Sequence, residues 1–334
     1  MSNSPTIPVD LKPLSLSELL DQTFTLYRNH FWLFCGLMAI PQVVIAGVSI
    51  IIYINPATRT LPAMQPNPQN PFAALEAMVP IVLAALLILI LSTLVFSIAV
   101  SAVTFAVSKI RMGQPASIRK SYAMLVPRIV GLLGLIVLLI FIGCVFVFAG
   151  LLAGGFIGGL LGGLLAFVSP ILTGIVVFLM LFAGLAFGLW LLMRFSVSIP
   201  VYLLERRGAL DSLARSGVLT KGHRWRIFVA TVVVTLIVYV VHLLFQLPFS
   251  ISGLFNNAMR GVVPLWQQIG ATIASAISGT LAGSLITITI VLIYYDTRIR
   301  KEAFDLEAMM AALGPSTGTP GGPSTAPPPP AQPI

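Results

Sequence analysis

IVGLLGLIVLLIFIGCVFVFAGLLAGGFIGGLLGGLLAFVSPILTGIVVFLMLFAGLAFGLWLLM, residues 129–193, decides the fold. It contains no Asp, Glu, Lys, Arg or His from end to end. One crossing of the hydrocarbon core needs about 20 apolar residues, so the run is too long for a single helix. Lys109, Arg111, Arg119, Lys120 and Arg128 precede it, and Arg194, Arg206 and Arg207 follow it. Basic flanks mark the cytoplasmic side of a membrane, so both ends belong to one side and the number of crossings between them is even. Two is the simplest solution.

Composition agrees with that reading over the whole chain. Hydrophobic residues make up 57% of the 334, charged residues only 9%, and mean hydropathy is +1.01. A water-soluble fold has too little interior to hide so much apolar side chain. A soluble enzyme, a disordered chain and a small disulfide-stapled domain are excluded. Four further windows lack Asp, Glu, Lys and Arg: residues 29–58, 77–108, 227–259 and 261–295. With the pair in 129–193 they predict an all-α, polytopic membrane helical bundle of about six transmembrane helices. These lie near residues 31–54, 79–107, 129–152, 171–193, 227–248 and 269–295. The integral membrane domain is expected over residues 1–312.

Seventeen of the nineteen Lys and Arg then fall on one side, and only Arg59 and Arg260 on the other. That asymmetry predicts cytoplasmic N- and C-termini in a bacterial inner membrane. The net charge of +9 sits beside apolar runs. It therefore reads as contact with anionic lipid headgroups, not with nucleic acid. Asp10, Glu18 and Asp21 interrupt the first 29 residues, so no cleavable leader is expected there. Residues 55–72, rich in Pro, Asn and Gln, read as an outer loop, and residues 313–334, rich in Pro, Gly, Ser and Thr, as a disordered cytoplasmic tail.

Amphipathic stretches precede crossings one, three and five. Ser15 and Glu18 form a capping-box pattern, followed by an apolar side of Leu16, Leu19, Leu20, Thr23, Phe24, Leu26 and Tyr27. Ile118, Tyr122 and Leu125 mark a second stretch. A third carries Leu210, Leu213, Ala214 and Val218 on one face, with Asp211, Ser212, Arg215 and Ser216 on the other. Each is too short and polar to span, and each is expected in the interface. A threefold repeat of interfacial helix plus hairpin, starting near residues 15, 116 and 209, follows from this spacing.

Gly150, Gly154, Gly158 and Gly162 recur every four residues. They predict close helix packing or a bend, with a re-entrant segment or gate as the alternative. His242 and Gln246 share a face of the fifth crossing and are the candidate intramembrane polar site. Cys35 and Cys144 have no ligand-spaced neighbours and read as small hydrophobes. No catalytic, cofactor-binding or metal-binding motif is present, and no cofactor is expected.

Three stretches carry a resemblance: LSLSELLDQTFTLYRNHF (residues 14–31), PVYLLERRGALDSLARSGVLTKG (200–222) and YYDTRIRKEAFDLE (294–307). Together they resemble a bacterial integral membrane family grouped with the membrane domain of glycerophosphoryl diester phosphodiesterase. The resemblance covers nearly the whole chain apart from the tail and includes no phosphodiesterase domain. It implies a multi-pass bundle with interfacial helices, and a cytoplasmic ion-pair girdle built from Glu205, Asp296 and Arg298. The function expected is that of a non-enzymatic multi-pass inner-membrane protein in envelope homeostasis or assembly, or the partner of a separate enzyme. Protein partners or a homo-oligomer belong to that reading. The alternative is a transporter or flippase of a small or lipidic substrate, which a polar cavity reaching His242 and Gln246 would favour and a dry interior would oppose.

Overall fold

The computed structural model describes residues 15–54, 73–167, 169–260 and 264–312, and all regular structure among them is helical. In chain order the helices are α1 (Leu16–Asn29), α2 (Phe31–Ile54), α3 (Ala73–Arg111), α4 (Ile118–Ala123), α5 (Ile129–Leu165), α6 (Pro170–Leu192), α7 (Ser198–Leu204), α8 (Ala209–Thr220), α9 (Arg224–Arg260) and α10 (Leu265–Ala312). Six are long and apolar enough to cross a membrane: α2, α3, α5, α6, α9 and α10. The chain is a polytopic membrane helical bundle. The outer loop at 55–72 and the tail at 313–334 lie outside the described residues.

Crossing α2 has the expected limits. The others run longer at one or both ends, and α5 continues through the glycine-rich segment to Leu165. Of the readings open there, the bend and the re-entrant segment give way to uninterrupted helix, and close packing remains. The reason is packing. Gly150, Gly154, Gly158 and Gly162 are the buried stripe of the second half of α5 and lie against α6. A Cβ at Gly188 of α6 would stand 2.7 Å from the Phe146 carbonyl oxygen, and one at Gly162 would stand 2.9 Å from Val177 Cγ2. Backbone meets backbone, and dispersion contacts offset the helix-weakening entropy of glycine.

Helix α10 is the axis of the remaining crossings. In it 61% of the membrane-length window is buried, against 6% in the α6 segment. Helices α2, α3 and α9 surround it, and α1 lies across its basic half. The described core gathers Phe34, Leu37 and Met38 of α2, Ala99–Val107 region side chains of α3, and Ile288, Leu292 and Tyr294 of α10. All sit in the half that carries the basic residues, so the core of the described residues is concentrated at the basic end.

The interfacial helices are locked by specific hydrogen bonds. In α1 the Ser15–Glu18 capping box forms on both sides. Tyr27 donates from its hydroxyl to the Leu281 carbonyl, and Thr289 Oγ1 donates to Thr23 Oγ1 at 3.4 Å. Burial, with Cys35 alongside, pushes the Tyr27 phenol above its ordinary pKa. Helix α4 is shorter than its stretch of sequence, only Ile118–Ala123, but its Tyr122 has a defined task. Pro41 lies inside α2 and cannot donate to the carbonyl four residues earlier, that of Leu37. The Tyr122 hydroxyl fills the gap, donating to Leu37 O at 2.7 Å. Such freed groups need a partner where water is scarce.

In α8 the packed face is not the apolar one. Ser212, Ser216, Gly217 and Thr220 are buried with Leu213 and Leu219, while Leu210 and Val218 point outward, 71% and 54% exposed. Ser216 and Thr220 donate to the Arg194 carbonyl at 2.9 and 3.2 Å, at the end of α6. The small hydroxyls dock on the protein and the apolar stripe is left for lipid. Helix α7, between α6 and α8, has no counterpart in the sequence reading.

Candidate functional site

Sequence placed His242 and Gln246 on one face of α9, and the structure turns that face toward α10. The His242 ring lies with Nδ1 2.9 Å from Ser278 Oγ. Gln246 Nε2 donates to the Ala271 carbonyl at 2.9 Å. Both residues pin α9 to the axis, but they differ in surroundings. Gln246 lines a cleft of about 500 Å³; His242 lies one turn deeper and is not among its walls.

The cleft is built from three helices. Gln42, Ser49 and Tyr53 come from α2, Gln246 and Ser250 from α9, and Gln267, Gln268, Thr272 and Ser275 from α10. Ile45, Ala46, Phe249, Ala271 and Ala276 complete the lining. Helices α2 and α9 each pack along α10, and the cleft opens between them in the half away from the basic residues. On α10 it occupies the first turns beyond Trp266. From Trp266 to Asp296, at about 1.5 Å per residue, is roughly 45 Å, the thickness of a bilayer with its headgroups. The cleft thus extends from one interface toward the membrane centre.

The described residues of its walls carry no formal charge. They carry hydrogen-bonding groups, and several are unused. Gln267 is 6% exposed; its Nε2 donates to the Phe249 carbonyl at 2.7 Å, and its Oε1 is buried with no partner among the described residues. A buried acceptor left unpaired costs about 1–3 kcal/mol. Gln42 has no hydrogen-bond partner among the described residues, and its amide lies over Gly279, where a side chain would collide with it. Gly279 is the gap that lets this amide reach the axis. The glutamines and hydroxyls form a mixed donor and acceptor surface without an ion to balance. Among the described residues no group of His, Cys, Asp and Glu is arranged to hold a metal ion.

The sequence held a signal for these residues. Gln42, Ser49 and Tyr53 recur at seven and four residues on α2, and Gln268, Thr272, Ser275 and Gly279 at four, three and four on α10. Both are polar stripes with helical periodicity inside apolar runs. His242, an imidazole at membrane depth, is a stronger local signal than these neutral amides and hydroxyls.

The other predicted cluster is divided in two. Asp296, 3% exposed, accepts from Arg226 Nη1 at 2.7 Å and from Arg300 Nε at 3.0 Å. Glu205 accepts from Arg207 Nε at 2.9 Å and from the Tyr294 hydroxyl at 3.1 Å. Arg298 donates to Glu302 at 2.8 Å and to the Tyr294 hydroxyl at 3.3 Å. Tyr294 links Glu205 to Arg298, while Asp296 belongs to a separate pair of arginines. With Arg215 of α8, 3.4 Å from Glu205 and 2.7 Å from Glu302, these contacts join α7, α8, α9 and α10 at the basic end. Comparison with protein-family models, curated proteins and solved structures finds no match.

Proposed function

We propose that this chain is a non-enzymatic bacterial inner-membrane protein that holds, and passes across the outer half of the bilayer, a small uncharged or lipidic molecule in the cleft between α2, α9 and α10. The observation that carries the reading is the Gln267 carbonyl oxygen, buried in the cleft wall without a partner among the described residues. A bundle selected only for stability gains from replacing such a group with a hydrocarbon. A bundle that binds something keeps it.

The proposed orientation puts the basic end and both termini in the cytoplasm, from the charge asymmetry of the sequence. The cleft then faces the outside. Lys and Arg on the inner surface contact anionic headgroups. Kinship with the membrane domain of glycerophosphoryl diester phosphodiesterase is part of this proposal, on the three stretches quoted above. A role in envelope assembly, beside a partner protein or a second copy, is the second reading. The observation favouring it is the α5–α6 hairpin, whose outer faces carry the exposed Phe141, Phe148, Phe156, Phe178 and Phe182.

Two measurements test the proposal. In a variant without Cys35 and Cys144, Thr58→Cys is expected to react with an impermeant maleimide on intact cells and Lys221→Cys only after lysis; the reverse overturns the orientation. Native mass spectrometry of the chain released from nanodiscs is expected to show a bound small molecule that Gln42→Leu and Gln246→Leu both remove. Loss from neither variant overturns the cleft as the working site.

A further inference from the structure

The chemistry of the cleft wall specifies its occupant further. We infer that the cleft takes a lipid with an uncharged, hydroxyl-rich headgroup. The inference rests on the reading above and narrows it.

Three observations carry it. The first is the absence of any Asp, Glu, Lys, Arg or His among the described lining residues. A phosphate or carboxylate drawn to this depth would lose its hydration with no cation to replace it, and a quaternary amine would find no anion. The second is the kind of hydrogen bond on offer. Gln267 Oε1, buried and without a partner among the described residues, accepts only, so a group that meets it must donate. Gln42 offers donors and an acceptor on one amide, and Ser49, at 6% exposure, brings a hydroxyl from the same face of α2. A group that both donates and accepts at adjacent atoms satisfies such a wall; a polyol is that group, and an ester or ether is not. Tyr53 and Phe249 add ring surfaces for the C–H faces of a sugar.

The third observation selects a lipid over a free sugar. On α9, Tyr239, Leu243 and Leu247 form a stripe at four-residue spacing next to Gln246, and all three are exposed on the lipid-facing surface. Acyl chains lie along that stripe while the headgroup turns in between α2 and α9. A cleft of about 500 Å³ falls within the usual range for small-ligand sites, about 300–1,000 Å³.

The test uses full-length chain purified in a zwitterionic detergent, because sugar detergents carry the same headgroup chemistry and would occupy the cleft. Retention of added lipid is read by native mass spectrometry. The probes are monoglucosyl diacylglycerol, phosphatidylglycerol and phosphatidylcholine of equal chain length, and free glucose. The glucosyl lipid is expected to be retained at least about tenfold more tightly than either phospholipid, a difference of about 1.4 kcal/mol. Gln267→Leu and Gln42→Leu should each lower its retention about tenfold, while Ser92→Ala, outside the cleft, leaves it unchanged. Equal or stronger retention of a phospholipid with the same glutamine dependence overturns the headgroup assignment and leaves the cleft reading standing. Binding of free glucose as tight as that of the lipid overturns the lipid. Retention of every lipid indifferent to both glutamines overturns this inference and the cleft reading together. Gln42→Leu changes a half-buried side chain without a partner, so its result is readable even where Gln267→Leu lowers the yield.

Discussion

The α5–α6 hairpin and the bundle around α10 solve one problem in opposite ways. Lipid tails are as apolar as leucine, so apolar side chains alone give helices no reason to leave lipid for each other. The hairpin answers by removing side chains. Gly150, Gly154, Gly158 and Gly162 face Gly184, Gly188 and the backbone of Val177 and Met180. Its outer surface remains turned to lipid, with Phe156 70% and Phe182 62% exposed. The α10 bundle keeps its side chains and joins them by hydrogen bonds: Tyr27 to Leu281, Tyr122 to Leu37, His242 to Ser278, Gln246 to Ala271. Glycine contact is tight but chemically blank. Hydrogen-bonded contact leaves polar groups in the interior, and one region of it has become a cleft. The proposed function belongs with the second mode.

If that contrast is right, the two regions should fail differently. Gly154→Leu drives a side chain into the Met180 carbonyl and the Gly184 backbone, with no flexible neighbour to yield. It is expected to cost about 3 kcal/mol or more, the upper range for overpacking. Gly159→Leu meets open space and should stay within about 0.5 kcal/mol of wild type. Denaturant titration of the hairpin in bicelles, read by a Trp190 fluorescence change, checks both. Equal tolerance of the two leucines would remove backbone contact as the basis of the hairpin. In the bundle, Tyr122→Phe deletes one oxygen and leaves the Leu37 carbonyl, freed by Pro41, without its partner. About 1–2 kcal/mol of stability should be lost, and Pro41→Ala in the same chain should restore most of it by supplying the missing N–H. A Tyr122→Phe chain as stable as wild type, or no recovery with alanine, would show that the carbonyl finds another donor.

How much of this was readable beforehand follows the same division. Glycines at four-residue spacing point to close packing whatever their partner, because only the backbone is involved. The partner stretch, with Gly184 and Gly188, carries the same spacing. The length and hydropathy of the six crossings are likewise local properties. Hydrogen bonds across the α10 bundle are not. Nothing near Tyr122 in sequence points to Leu37, 85 residues away. Nothing in the α8 pattern says that Ser212, Ser216 and Thr220 dock inward, because the rule that apolar faces are buried reverses where the surroundings are hydrocarbon. The resemblance points to Glu205, Asp296 and Arg298, but the split of Asp296 from the other two depends on where Arg226 and Arg300 reach. The cleft needed three helices brought together before its polar stripes met.

The smallest expected effect is the sharpest test of the difference between a group kept for stability and one kept for a ligand. Gln267→Leu removes the Nε2 donor to the Phe249 carbonyl, a loss of about 0.5–1.5 kcal/mol. That carbonyl is not orphaned, because Ser252 Oγ also donates to it at 2.9 Å. The same substitution removes the unpaired, buried Oε1, a relief of about 1–3 kcal/mol. The two terms oppose each other, so the unliganded variant should unfold at the wild-type temperature or slightly above it. A thermal scan of ligand-free chain in zwitterionic detergent checks this. A variant destabilised by more than about 1 kcal/mol would mean that Oε1 has a structural partner in the folded chain. Gln267 would then belong with His242, as a pin between α9 and α10, and the cleft would lose the residue that distinguishes it from a packing defect.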